Sequence, residues 1–164
     1  MTIRTAQQSD FSTIVDIYNQ AVEQGGLTAD LTPISLESRQ QWFQEHTTSD
    51  YPIWVFEQSG VVIGWCSLSP YRCGRKALRH TAEISYYIDT AYQNRGIGSQ
   101  LMQYAIENAP ARKFHNLFAL LLASNPLSIR LLTKFGFEQW GRLPEVAEIE
   151  GECIDHLIYG RKVG

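Results

Sequence analysis

Apolar positions change their spacing several times along this chain, and each change marks an element. Thr2–Ala6 is short and β-branched and reads as a first strand. Phe11, Ile14, Val15, Tyr18 and Val22 then recur at helical spacing behind a capping Ser9 or Asp10, and Gly25-Gly26 ends the run. Ser35 caps a second helix reaching about His46, after the loop at Thr32-Pro33. Ile53–Gln58 and Val61–Ser69 are strands joined at Ser59-Gly60, a hairpin turn.

A loop from Pro70 to His80 leads to the central strand, Thr81–Ile88. Leu101, Tyr104, Ala105 and Asn108 return to helical spacing. A strand at Asn116–Leu122, a helix from Asn125, and strands near Phe137–Arg142 and Cys153–Arg161 complete the order β-α-α-β-β-β-α-β-α-β-β.

Between the central strand and its following helix lies Gln93-Asn94-Arg95-Gly96-Ile97-Gly98-Ser99. Two glycines and an Arg at a helix start leave backbone N–H groups free, and the helix dipole favours an anion there. The run lacks the Lys-Ser/Thr of a P-loop and the third glycine of a dinucleotide fingerprint. Downstream, Asn125-Pro126-Leu127-Ser128 opens a helix that runs through Leu131-Leu132 to Phe135-Gly136-Phe137.

These two motifs, Q/R-x-x-G-x-G/A and N-x-x-[SA]…[KRE]-x-G-F, resemble those of the GNAT superfamily of N-acetyltransferases, and the element order resembles that fold over the whole chain. The resemblance implies an α/β (α+β) acyl-CoA N-acyltransferase fold. Its mixed central sheet of six to seven strands would be flanked by about four helices, in one domain over residues 1–164. It also implies acetyl-CoA as cosubstrate. The amides of Gln93, Asn94, Arg95, Gly96, Ile97, Gly98 and Ser99 would hold its pyrophosphate, the strand edge at Tyr86, Tyr87 and Ile88 its pantetheine arm, and Asn125 would touch that arm while capping its own helix.

Glu83 is the candidate general base. An acid inside an otherwise uncharged strand is costly unless it is partnered or used. It lies five residues before Ile88, roughly 16 Å along the strand. Arg72, Arg75, Lys76 and Arg79 precede it, and Arg72 or Arg75 is the candidate fork for a substrate carboxylate, with Glu83 itself also facing substrate.

Ile17-Tyr18-Asn19, Thr81-Ala82-Glu83, Trp140-Gly141 with Pro144, and Asp155 narrow the resemblance to the phosphinothricin and methionine sulfone/sulfoximine acetyltransferases. That branch implies direct transfer to the α-amine of a small amino-acid analogue, and a homodimer. A peptide N-terminus, polyamine or aminoglycoside as acceptor, or a non-catalytic acyl-CoA sensor, are the other readings. One position departs from the pattern. Leu132 stands where many members carry the Tyr, or in this branch the His, that protonates the leaving thiolate.

The 164 residues carry 44% hydrophobic side chains and a net charge of −3, which is ordinary for a globular domain and gives no basic face for nucleic acid or membrane. No signal peptide or long apolar run is evident, so a cytoplasmic location is expected. Three cysteines without a C-x-x-C pair and four scattered histidines predict neither disulfides nor a metal site. The tryptophans Trp42, Trp54, Trp65 and Trp140 are expected in the core or at a dimer surface, and His80 outside the catalytic set.

Overall fold

The computed structural model describes residues 1–48 and 50–164. Seven strands form one sheet: β1 (Thr2–Thr5), β2 (Ile53–Gln58), β3 (Val61–Pro70), β4 (Thr81–Ile88), β5 (Asn116–Leu122), β6 (Glu138–Ile149) and β7 (Glu152–Lys162). Four α-helices pack on it: α1 (Phe11–Gln24), α2 (Leu36–Thr48), α3 (Ile97–Asn108) and α4 (Pro126–Lys134). The strand order is β1-β2-β3-β4-β5-β7-β6, antiparallel throughout except for β4 beside β5. No helix among the described residues is long and apolar enough to cross a membrane.

The sheet divides the apolar side chains into two clusters. Ile53-Trp54-Val55-Phe56 is buried on both faces, as expected of a central strand whose side chains alternate. Trp54 and Phe56 join the cluster under α3, with Leu101, Met102 and Leu132. Ile53 and Val55 join the opposite cluster under α1 and α2, with Phe11, Ile14 and Phe43. The expected face of α1 (Phe11, Ile14, Val15, Tyr18, Val22) is buried in full. The turn at Ser59-Gly60 has φ of 53° and 81°, the twist-matched conformation of a two-residue hairpin.

Two boundaries differ from those expected. A 3-10 turn at Gln8–Asp10 precedes α1, and the Asp10 carboxylate accepts from the Gln7 amide at 2.7 Å and from Arg4 at 2.7 and 3.0 Å. Asp10 thus ties the chain before α1 to β1. The last hairpin is longer than its apolar pattern, because Pro144 and Glu145 read as a break. In the structure they form a bulge between Leu143 and Ala147, with the Glu145 amide held by the Asp155 carboxylate at 2.9 Å.

The feature that creates the site is a parting of the sheet. β4 and β5 pair at Thr81–Asn116, Ala82–Leu117 and Glu83–Phe118, and at no later register among the described residues. From Ile84 to Ile88, β4 is bonded to β3 alone. The strands diverge there and leave backbone groups facing an open wedge.

Candidate active site

The wedge opens onto two cavities, one on each side of the sheet. A groove of about 360 Å³ runs from the Gln93–Ser99 loop past β4 to α4. A second cavity of about 330 Å³ lies under α1 and α2. Ser85, Tyr87, Leu120 and Leu121 line both, so the two are continuous through the gap between the strands.

The groove collects every residue expected around a CoA arm except Arg95. Tyr86, Tyr87, Ile88, Gln93, Asn94, Gly96, Ile97, Gly98, Ser99 and Asn125 all line it. Asn94 (φ 61°) and Gly96 (φ 80°) turn the chain sharply into α3. The first intrahelical bond is Gln100 N–H to Gly96 C=O at 3.1 Å, which leaves the Ile97, Gly98 and Ser99 amides available at the positive end of the helix. A Cβ on Gly96 would meet no atom within 4 Å, so the backbone there is open to a ligand. On Gly98 it would lie 3.3 Å from Leu131, and the missing side chain lets α3 and α4 approach.

Arg95 instead donates to the Ala91 carbonyl at 3.1 Å and lies over the Tyr92 ring, bracing the loop from behind. Asp89 and Gln20 brace its start, the Thr90 amide donating to Gln20 at 2.8 Å and the Ala91 amide to Asp89 at 2.9 Å. Lys134 was not anticipated. Its ammonium donates to the Ser99 hydroxyl at 3.2 Å and places a cation beside the free amides at the start of α3. The Lys at the head of Lys134-Phe135-Gly136-Phe137 was the available signal. Asn125 caps α4, accepting from the Ser128 amide at 3.1 Å, and is buried.

On the other side of the sheet, Glu83, Ser85 and Tyr87 alternate into the second cavity. Burial holds the Glu83 carboxyl above the usual carboxylate range. Tyr18, Trp42, Trp65 and Tyr87 form aromatic walls, with Tyr18 edge-on to Tyr87 at 4.9 Å and Trp65 between Tyr87 at 5.0 Å and Trp42 at 5.8 Å.

 Trp65 belongs to the core cluster and Trp42 packs against it, as expected, and both also line this cavity. Trp54 is a core residue, and Trp140 is exposed.

Arg39 is the guanidinium of this cavity. It lies over the rings of Tyr18 and Trp42, 5.3 and 5.6 Å from their centroids, with Asp30 at 3.7 Å. Arg72 and Arg75 are exposed in the 71–80 segment and line neither cavity. Arg39 and Trp42 share one face of α2 at i, i+3, a signal obscured by the polar residues around them.

The roof over the cavity is built by the Ile17-Tyr18-Asn19 motif. The Asn19 amide side chain donates to the Ile34 carbonyl at 2.9 Å and accepts from the Ile34 amide at 2.8 Å. The Tyr18 hydroxyl hydrogen-bonds to Asp30 and, at 2.7 Å, to Thr28. Below, His46 Nδ1 donates to the Trp42 carbonyl at 2.7 Å, which leaves Nε2 to accept from the Ser69 hydroxyl at 2.9 Å. His80 stacks on His115 away from the cavity, and its Nδ1 lies 2.6 Å from the Lys113 carbonyl.

A helix-start turn with free amides, a parted pair of parallel strands and a half-buried carboxyl where the strands part define an acyl-CoA-dependent transferase site. The chain belongs to the acetyltransferase (GNAT) family, whose model matches residues 13–137. The L-methionine sulfoximine/L-methionine sulfone acetyltransferase of Pseudomonas aeruginosa is 36% identical, over 94% of this chain and 90% of the relative. YwnH of Bacillus subtilis, which carries a provisional phosphinothricin acetyltransferase name, is 39% identical over 99% of both chains. The crystal structure of a phosphinothricin acetyltransferase from Sinorhizobium meliloti in complex with acetyl-CoA superposes with a TM-score of 0.92 at 30% identity, covering 99% of this chain and 88% of that one.

Proposed function

We propose that the protein moves an acetyl group from acetyl-CoA to the α-amine of a small amino-acid analogue of the phosphinothricin or methionine sulfone/sulfoximine type. The observation that carries this reading is Glu83, a half-buried carboxyl lining a cavity that communicates with the CoA groove between two parted strands.

The residues of the groove fit the cosubstrate. Amides at the start of α3 and Lys134 receive the pyrophosphate, and the free edge of β4 at Tyr86–Ile88 receives the pantetheine arm as an added strand. A backbone N–H near Ile88 polarises the thioester carbonyl. Glu83 removes the proton of the acceptor ammonium, directly or through water, and its raised basicity suits the task. Arg39 takes the acceptor carboxylate.

Transfer is direct, in a ternary complex. Cys66 is fully buried and burial pushes its thiol far up, while Cys73 and Cys153 are exposed and line neither cavity. None of the three is placed to carry an acetyl group.

The test is CoA release with methionine sulfone, methionine sulfoximine, phosphinothricin, ordinary amino acids, polyamines and an aminoglycoside. Saturable turnover with one of the first three is expected, with KM raised about tenfold or more in Arg39→Ala. Turnover with cationic amines alone would replace the acceptor class, and acetyl-CoA binding without turnover would favour a sensor.

A further inference from the structure

Beside Ser85 and Tyr87 of β4 and Leu120 and Leu121 of β5, a further residue lines both cavities: Leu27. It lies outside the sheet, half-buried, in the loop between α1 and α2. Its two neighbours in the chain are pinned on opposite sides of the gap. The Gly26 carbonyl accepts from the Ser124 hydroxyl, just past the end of β5, at 3.0 Å. The Thr28 hydroxyl is bonded at 2.7 Å to that of Tyr18, whose ring packs edge-on against Tyr87 of β4. Gly26 has φ 68°, and a Cβ there would lie 3.3 Å from the Ser124 hydroxyl oxygen, so the loop runs close against the chain that follows β5. The loop is thus a strap fastened to both parted strands, with Leu27 between its fastenings, where the groove and the second cavity meet.

Resting on the acetyltransferase reading above, we infer that Leu27 sets the length of the acyl chain that the protein accepts, holding the donor to acetyl-CoA, and that a shorter side chain there admits longer acyl-CoA donors. On that reading the thioester sulfur lies along the groove, its carbonyl oxygen against the edge of β4, and the acceptor nitrogen arrives from the second cavity. The remaining direction at the thioester carbon belongs to the acyl chain, which faces the apolar corner made by Leu27 and the two β5 leucines. Leu121 is buried in the cluster under α3 and cannot yield. A methyl group suits such a corner. Each added methylene must displace Leu27 or take the room of the acceptor, and an apolar site already filled resists it. Discrimination of about 10–200-fold per methylene is usual for a pocket of this kind.

The test compares acetyl-, propionyl- and butyryl-CoA in the wild type, Leu27→Ala and Leu27→Met. The side-chain carbons removed in Leu27→Ala make room for the two extra methylenes of a butyryl chain. Wild-type kcat/KM with a fixed acceptor is expected to favour acetyl- over butyryl-CoA by about 10²-fold or more, and Leu27→Ala to narrow that ratio at least tenfold. Leu27→Met keeps the bulk and should keep the preference. Calorimetric affinities for the same three donors, with no acceptor present, give a readout that needs no turnover, and the butyryl-to-acetyl ratio should shift in the same direction. A wild type that uses or binds butyryl-CoA as well as acetyl-CoA overturns the assignment. So does an affinity ratio unchanged in Leu27→Ala, or a preference lost equally in Leu27→Met, which would make the strap's position and not its side chain the cause. If the wild type acetylates no amine yet the affinity ratio shifts in Leu27→Ala alone, the acceptor reading falls and the role of Leu27 stands.

Discussion

Glu83 shows how much a single half-buried carboxyl can decide. It must be ionised to accept a proton, and burial raises its pKa, so the acidic limb of kcat/KM should lie above the usual glutamate value of about 4.3. Glu83→Gln should lower turnover about 10²-fold with acetyl-CoA affinity retained, checked by steady-state kinetics and calorimetry. Unchanged turnover would remove Glu83 from the mechanism. His46 makes a second prediction. Burial lowers its pKa in the folded state, so the unfolded chain binds the proton more readily. Stability should therefore be fully present above about pH 6.5 and fall as pH drops from there through the folded-state pKa. Melting curves from pH 8 to pH 5 should show this slope, and His46→Gln should flatten it.

At the scale of elements, the strand and helix periods were legible because burial dictates them. The α1 face, the Ser59-Gly60 hairpin and the glycine turn into α3 all follow from local spacing. Arg39 and Trp42 were not legible, because their role depends on α2 crossing the cavity mouth rather than on α2 itself. The bulge at Pro144 and Glu145 was hidden for a similar reason: Asp155 on the neighbouring strand holds it. Gly96→Ala would place a side chain at φ 80°, a strain of about 1–2 kcal/mol, and should weaken acetyl-CoA binding about tenfold. Gly160→Ala should be harsher on stability. A Cβ there would sit 2.0 Å from the Trp140 ring, and forcing that ring aside should cost about 1–3 kcal/mol in denaturant titrations.

For the whole molecule, β6 is the last strand of the sheet and exposes Trp140, Leu143 and Val146. We propose that it contributes to a homodimer, and sedimentation should give twice the chain mass, with the monomer favoured by Trp140→Glu. The parted strands carry a different consequence. Three register pairs at one end hold β4 to β5, so the two halves of the sheet are joined there as at the closed end of a pair of tongs. A bound pantetheine arm would supply the missing rungs farther along. Amide protons of residues 84–88 that face the gap should then exchange quickly with deuterium in the free protein and slow markedly once acetyl-CoA is added. On the proposed reading the cosubstrate would finish the pairing of the sheet, and an acceptor would meet a rigid wall only once acetyl-CoA had arrived.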